Sequence, residues 1–198
     1  MNQNSPEVLE ALQHPLDPEN FTIIVEQYQK PVFNLCYRML GDPDEAEDAA
    51  QESFWKAYKN MGSYDASRSF LTWVLSIAAH HCIDQIRKRK FVGFSIDEMV
   101  DDFLPDLDPL PEQVASQSEE QKKIRGLLNT LSAEDRSAVV MRYWYDFSDE
   151  EIGTALHLTV SAVKSRLFRA RKQMAQEWLK AESNNAIPER RKHEPSTI

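Results

Sequence analysis

Apolar residues recur along this chain at intervals of three and four, without sustained alternation of two, and that period predicts helices throughout. Its clearest case is Val163, Leu167, Ala170 and Met174, one buried face of a helix whose other faces carry Lys164, Arg166, Arg169, Arg171 and Lys172. Just before it, Ile152, Ala155 and Leu156 give a shorter helix an apolar face. Ser148 serves as its N-cap, and Asp149, Glu150 and Glu151 fill the first turn, where the partial positive charge of a helix end favours acid. His157, Leu158 and Thr159 interrupt the pattern for about one turn. Residues 148–172 therefore read as a helix-turn-helix with a basic second helix, shaped to enter a major groove. A surface helix with solvated charge is the plainer alternative.

The same periods divide the rest of the chain. Residues 1–19 contain few large apolar groups and are expected to be a flexible tail. From Phe21 the pattern runs through Ile24, Val25, Tyr28, Val32, Leu35, Cys36, Met39 and Leu40; Pro31 is expected to break or restart that helix, and Gly41 to end it. Asp42 and Pro43 announce a new helix to about Asn60, with Phe54, Ala57, Tyr58 and Met61 facing inward. A loop of small and polar residues, 61–69, precedes a helix over 70–90 with Leu71, Leu75, Ala78, Cys82 and Ile86 as its core face. After an interruption, helical spacing returns at Ile124, Leu127, Leu128 and Leu131, and Ser132 caps a helix holding Ala138, Val139, Met141, Tyr143 and Trp144.

Composition sharpens this picture. Only five glycines occur among 198 residues, which supports an all-α fold of two small helical domains. No apolar run is long enough to span a membrane and no signal-type start is present, so the reading is of a cytoplasmic protein. Cys36 and Cys82 each lie in an apolar helical pattern and are expected to be buried free thiols. The net charge of −9 is unevenly spread: residues 1–90 carry 9 basic and 13 acidic groups, 91–121 carry none and 9, and 122–198 carry 14 and 10. Residues 91–120, with Pro105, Pro109 and Pro111, therefore read as a flexible acidic linker between domains at 20–90 and 121–180, with a disordered tail over 181–198.

Two further surfaces are candidates for binding. Asp44, Asp48, Gln51, Glu52 and Trp55 share one side of the second long helix, either a solvated acidic face or a protein contact anchored by the tryptophan. Trp73, Ile77, His80, Asp84 and Arg87 form a stripe ending in Arg87, Lys88, Arg89 and Lys90. Rings beside cations suit unstacked bases and a phosphate backbone, although Trp73 and Ile77 also fit a core. His80, His81 and Cys82 are turned about 100° apart as neighbours on a helix, so no metal site is expected. Nor do these residues supply a base, a nucleophile and an orienting group at workable spacing, so no enzyme and no cofactor is expected.

Taken together, residues 20–180 resemble a bacterial RNA polymerase sigma factor of the extracytoplasmic function (ECF) group. The resemblance rests on three blocks: DPDEAEDAAQESFWKAY, SFLTWVLSIAAHHCIDQIRKRK and LSAEDRSAVVMRYWYDFSDEEIGTALHLTVSAVKSRLFRARKQM. It implies core RNA polymerase binding by Asp44, Glu47, Asp48, Gln51, Glu52 and Trp55. It implies −10 DNA contacts by Tyr64, Arg68, Phe70, Trp73, His80, Arg87 and Lys88, and −35 contacts by Ser161, Lys164, Ser165, Arg166, Phe168, Arg169, Arg171 and Lys172. It also implies an anti-sigma partner, and a membrane location only through that partner. Family members often have Arg-Asn where Ala79 and His80 stand and Gly where His157 stands, so the −10 contacts and the corner of the helix-turn-helix are the places where this chain departs. A stand-alone helix-turn-helix regulator is the second reading; it gives the acidic strip and the aromatic stripe no task.

Overall fold

A computed structural model describes residues 6–96 and 119–185, which form eight α-helices. The acidic linker expected over 91–120 lies mostly outside the described residues, as does most of the expected C-terminal tail.

The expected flexible start is replaced, from Pro6 on, by structure: α1 (Pro6–Ala11) buries Val8 and Ala11 against α2 (Pro18–Leu40). Asp17 caps α2 by accepting from the Glu19 N–H at 2.9 Å, and Pro18 takes the first turn, where its missing donor costs nothing. Pro31 neither breaks nor restarts this helix. The carbonyl it leaves without a partner, four residues back, belongs to Gln27, which is exposed and open to water. Tyr28, Val32, Leu35 and Cys36 on either side are buried, so packing keeps the chain helical through the proline. Gly41 ends the helix at φ 85°, a left-handed conformation that glycine adopts without a Cβ clash.

Asp42 then caps α3 (Pro43–Lys59), and after a short 3-10 turn at Met61–Ser63 the chain enters α4 (Phe70–Ile96), which passes its expected end at Lys90. Helices α2, α3 and α4 pack on one another to form the N-terminal body. Cys36 and Cys82 meet inside it as free thiols; the hydrogen bond between them and burial push the Cys82 thiol far above the ordinary range.

The C-terminal body consists of α5 (Glu119–Asn129), α6 (Ala133–Trp144), α7 (Asp149–Leu156) and α8 (Val160–Asn185). Ser132 caps α6 by accepting from Asp135 N–H at 3.1 Å, and Ser148 and Glu151 form a reciprocal capping box on α7. Every residue from Arg136 to Met141 is buried. A helix with one partner cannot bury six consecutive positions, and α6 has two sets: α7 and α8 of its own body, and α2 and α4 of the other.

Candidate nucleic-acid and polymerase interfaces

Asp44, Glu47, Asp48, Gln51, Glu52 and Trp55 of α3 are all exposed, and Trp55, 52% exposed, is held in place without being covered. Its ring stacks on Tyr58 at 6.3 Å, the Lys59 ammonium lies 4.4 Å above it, and Tyr58 in turn meets Phe21 edge-on at 4.8 Å. Gln51 donates to Glu47 at 3.4 Å, and the strip presents exposed carboxylates beside a supported apolar plate.

The stripe on α4 is built from the loop before it. Asp65 accepts from the Ser67 hydroxyl and N–H at 2.7 and 3.0 Å, and those two bonds hold its carboxyl below the usual carboxylate range. The turn brings Tyr64 back so that its hydroxyl donates to the Arg68 carbonyl at 2.8 Å and its ring meets Trp73 at 5.2 Å. Burial, and then Asp65, raise the Tyr64 hydroxyl above its ordinary value, keeping it a donor. Phe70, expected to meet DNA, is 1% exposed: it packs on Tyr28, Tyr64 and Trp73 and serves as the foundation of the cluster. Tyr64, Arg68, Trp73, Ile77 and His80 line a cavity of about 480 Å³, and its opposite wall is Thr154, Ala155 and His157 of the C-terminal body.

His80 and His81 diverge. The His80 Nδ1 lies 2.9 Å from the Ser76 carbonyl, whereas Lys56 donates to the His81 Nδ1 at 2.7 Å. Burial first, and then the Lys56 ammonium, hold the His81 pKa below the ordinary 6.5. A base with a lowered folded pKa stabilises the fold above its unfolded value and loses that contribution as pH falls through the folded one. The melting temperature is therefore expected to drop between pH 7 and pH 5, and to drop less in His81→Gln, in a paired thermal-unfolding series.

On α8 the apolar stripe is as expected, with Val163, Leu167 and Ala170 buried, and Ser161, Lys164, Ser165, Phe168, Arg169, Arg171 and Lys172 exposed. Arg166 is different: its guanidinium donates to Asp135 at 2.8 Å and its side chain is about three-quarters withdrawn from solvent, so it ties α8 to α6. The corner of the helix-turn-helix is left-handed. His157 adopts φ 54°, ψ 45° and its N–H reaches the Gly153 carbonyl, so a histidine accepts the conformation that glycine takes at less cost. Gly153 is required for another reason, since a Cβ there would lie 2.8 Å from the Leu158 carbonyl oxygen, a backbone atom that cannot move alone. Gly153→Ala is expected to destabilise the protein by about 1–3 kcal/mol in denaturant titration, the usual range for overpacking.

Two family models match this chain: Sigma-70 region 2 over residues 24–92 and Sigma-70, region 4 over residues 121–174. The ECF RNA polymerase sigma factor SigW of Bacillus subtilis (strain 168) is 36% identical over 166 residues, covering 80% of this chain and 88% of that one. The chain belongs to the ECF RNA polymerase sigma factors. SigE of Mycolicibacterium smegmatis is 31% identical over 163 residues, covering 82% of this chain and 63% of that one. Among solved structures, the sigma factor RpoE in complex with the anti-sigma factor NepR from Bartonella quintana matches with TM-score 0.64 and 25% identity, over 82% of this chain and 98% of that one. CnrH, solved with the cytosolic domain of CnrY, shares the fold with TM-score 0.60 at 20% identity, over 88% of this chain and 96% of that one.

In this sigma factor the two bodies touch through residues that sequence reasoning did not single out. Arg136 of α6, 7% exposed, donates to the Met39 carbonyl at the end of α2 and to the Asn129 carbonyl at 3.1 Å. Tyr145 donates to the Pro31 carbonyl, Ser76 to the Ala155 carbonyl at 3.0 Å, and Arg125 to the Tyr37 hydroxyl at 2.6 Å. Met39 and Ala155 lie in the last turns of their helices, where carbonyls lack helical partners, so each body completes a helix end of the other. The one sequence signal for this was the apolar run Ala138–Met141, too wide for a single buried face.

Proposed function

We propose that this protein binds core RNA polymerase and gives it promoter specificity, reading −10 DNA with the α4 stripe and −35 DNA with α8. The observation that carries the reading is two unlike surfaces on one chain, each of a composition that suits a different form of nucleic acid. An aromatic and cationic line on α4 suits unstacked bases, and an exposed cationic recognition helix suits duplex DNA. Asp44, Glu47, Asp48, Gln51, Glu52 and Trp55 form the polymerase contact. Tyr64, Arg68, Trp73, His80, Arg87 and Lys88 serve the −10 strand on the foundation of Phe70. Ser161, Lys164, Ser165, Phe168, Arg169, Arg171 and Lys172 serve −35 DNA, with Arg166 holding the helix in position. The factor does no chemistry; discrimination comes from two weak contacts made at once at a fixed spacing.

An anti-sigma partner belongs to the same proposal, supported by the RpoE and NepR complex. Its expected seat is the Trp55 strip, which would compete with polymerase. No described helix is long and apolar enough to cross a membrane, and the proposed site of action is the cytoplasm.

The test is transcription in vitro with purified bacterial core polymerase on a library of promoter fragments. The wild type is expected to start transcripts at discrete sites. Asp48→Ala/Gln51→Ala is expected to bind core at least about tenfold more weakly, the scale of a lost interface anchor. Duplex binding without any directed initiation would favour the stand-alone regulator instead.

A further inference from the structure

Where α5 and the end of α6 meet α2 they leave a cleft of about 390 Å³, a size typical of small-molecule sites. Ile124 and Leu128 of α5 give it an apolar side. Two rings, Tyr37 of α2 and Trp144 of α6, and two guanidiniums, Arg38 of α2 and Arg125 of α5, face the same space. Among the described residues no aspartate or glutamate lines it. None of these side chains belongs to the proposed polymerase, −10 or −35 surfaces.

Both guanidiniums are held by neutral partners. The Arg38 guanidinium carbon lies 5.1 Å from the centre of the Trp144 ring, and its Nη1 donates to the Asn34 carbonyl at 2.9 Å. The Arg125 guanidinium carbon lies 5.9 Å from the centre of the Tyr37 ring, and its Nη1 donates to the Tyr37 hydroxyl at 2.6 Å. A guanidinium has five donors, so these bonds orient each group without neutralising it. Burial lowers the Arg38 pKa, and the group that opposes this shift is Tyr145, a phenol that burial itself raises above its ordinary range and keeps neutral. Arginine stays charged under such a shift. A cation drawn out of water beside neutral groups alone carries a desolvation cost, which an arriving anion offsets.

An anion of phosphate type joined to a flat ring satisfies every wall of this cleft. The planar fork of a guanidinium matches phosphate oxygens, and an aromatic base stacks on a tryptophan or tyrosine ring. Inorganic phosphate alone would leave the apolar and aromatic walls without a partner, and an uncharged ring would leave the guanidiniums without one. We propose that the cleft between α2 and the α5–α6 pair binds a nucleoside diphosphate, with its phosphates on Arg38 and Arg125 and its base against Trp144. The ligand touches α2 on one side and α5 and α6 on the other. Its binding therefore strengthens the seat of α5 and α6 on α2, and the stability of the chain rises with nucleotide concentration.

The full-length chain is titrated by isothermal calorimetry with GDP and ADP, and with pyrophosphate and guanosine as the two halves of a nucleotide. The wild type is expected to bind a diphosphate at least about tenfold more tightly than either half, because each half leaves one set of walls unused. Tryptophan fluorescence should fall on binding, and saturating nucleotide should raise the melting temperature by about 3 °C or more. Arg38→Gln and Arg125→Gln should each weaken binding by about tenfold or more, the scale of a lost charge-assisted hydrogen bond. Trp144→Leu, which keeps both guanidiniums, should abolish the fluorescence change and bring nucleotide affinity down towards that of pyrophosphate. Melting without nucleotide shows that each variant is folded. Arg125→Gln also loses the bond to Tyr37, so Arg38→Gln, whose bond lies within its own helix, decides if the other fails to fold. The proposal is overturned by any of three results. No probe gives heat or a melting shift in the wild type; or nucleotide affinity is unchanged in Arg38→Gln, which would put the ligand elsewhere, as on cationic α8; or pyrophosphate binds as tightly as GDP, which would leave a contact of charge alone. Polymerase and DNA are absent from these titrations, so failure of the sigma reading would leave their outcome standing.

Discussion

Lys164→Ala/Arg169→Ala is expected to weaken binding to −35 duplex DNA by about a hundredfold or more and to flatten its salt dependence by about two counterions. Both side chains are exposed on α8, on the side away from the buried Val163, Leu167 and Ala170. A base-edge or phosphate contact from such a residue contributes about 1–3 kcal/mol, and two together reach the stated loss. Each phosphate neutralised releases about one counterion, so the slope of log affinity against log salt measures how many were lost. Anisotropy titrations at several salt concentrations supply both quantities. The fold should be unaffected, because neither residue contributes to the core. Arg166→Ala makes the useful contrast: with its guanidinium on Asp135 at 2.8 Å, it should disturb the seating of α8 on α6 more than it disturbs the salt slope. An unchanged slope in the double variant would mean that this face of α8 does not meet phosphates.

Arg136→Ala is expected to destabilise the whole chain by about 2 kcal/mol, or roughly 4–8 °C in melting temperature for a protein of this size. Its guanidinium bridges Met39 of α2 and Asn129 of α5 by hydrogen bonds to two carbonyls, and truncation leaves both acceptors without a partner. The loss is moderated because the group is itself poorly hydrated: burial, and then the nearby Arg89, lower its pKa, and its buried Nε finds no acceptor. Arg136→Lys should not rescue, since one ammonium cannot reproduce a planar fork reaching two helix ends. Thermal unfolding of the three proteins side by side decides it. A lysine variant with wild-type stability would show that charge alone, and not the fork, holds the bodies together.

Much of this was legible in the chain, and the parts that were not share a cause. Helix ends announced themselves because capping is local: Asp42 with Pro43, Ser132 and Ser148 each do in the fold what their neighbours in sequence suggest. The apolar stripe and cationic faces of α8 were legible because a helix that is buried along one side shows it in its period. Pro31 misled because its cost depends on whether a distant core keeps the segment helical and whether Gln27 faces water. Phe70, assigned to DNA by the family resemblance alone, is buried under its neighbours, and a sequence motif does not state whether a ring is offered or packed. The corner at His157 was ambiguous because a left-handed residue is disfavoured, not forbidden.

By itself, then, the sequence determined the helical class, the order and caps of most helices, the division into two bodies and the faces rich in charge. These follow from period and from interactions a few residues long. Only the tertiary structure decided which stripe residues are core and which are surface, and that Arg166 holds a helix in place. It alone decided that α6 fills the space between the bodies while α7 closes over α4. Those outcomes depend on bonds such as Arg136 to Met39 and Ser76 to Ala155, between groups remote in the chain, and a pattern of apolar positions states that a face must be covered without stating by what.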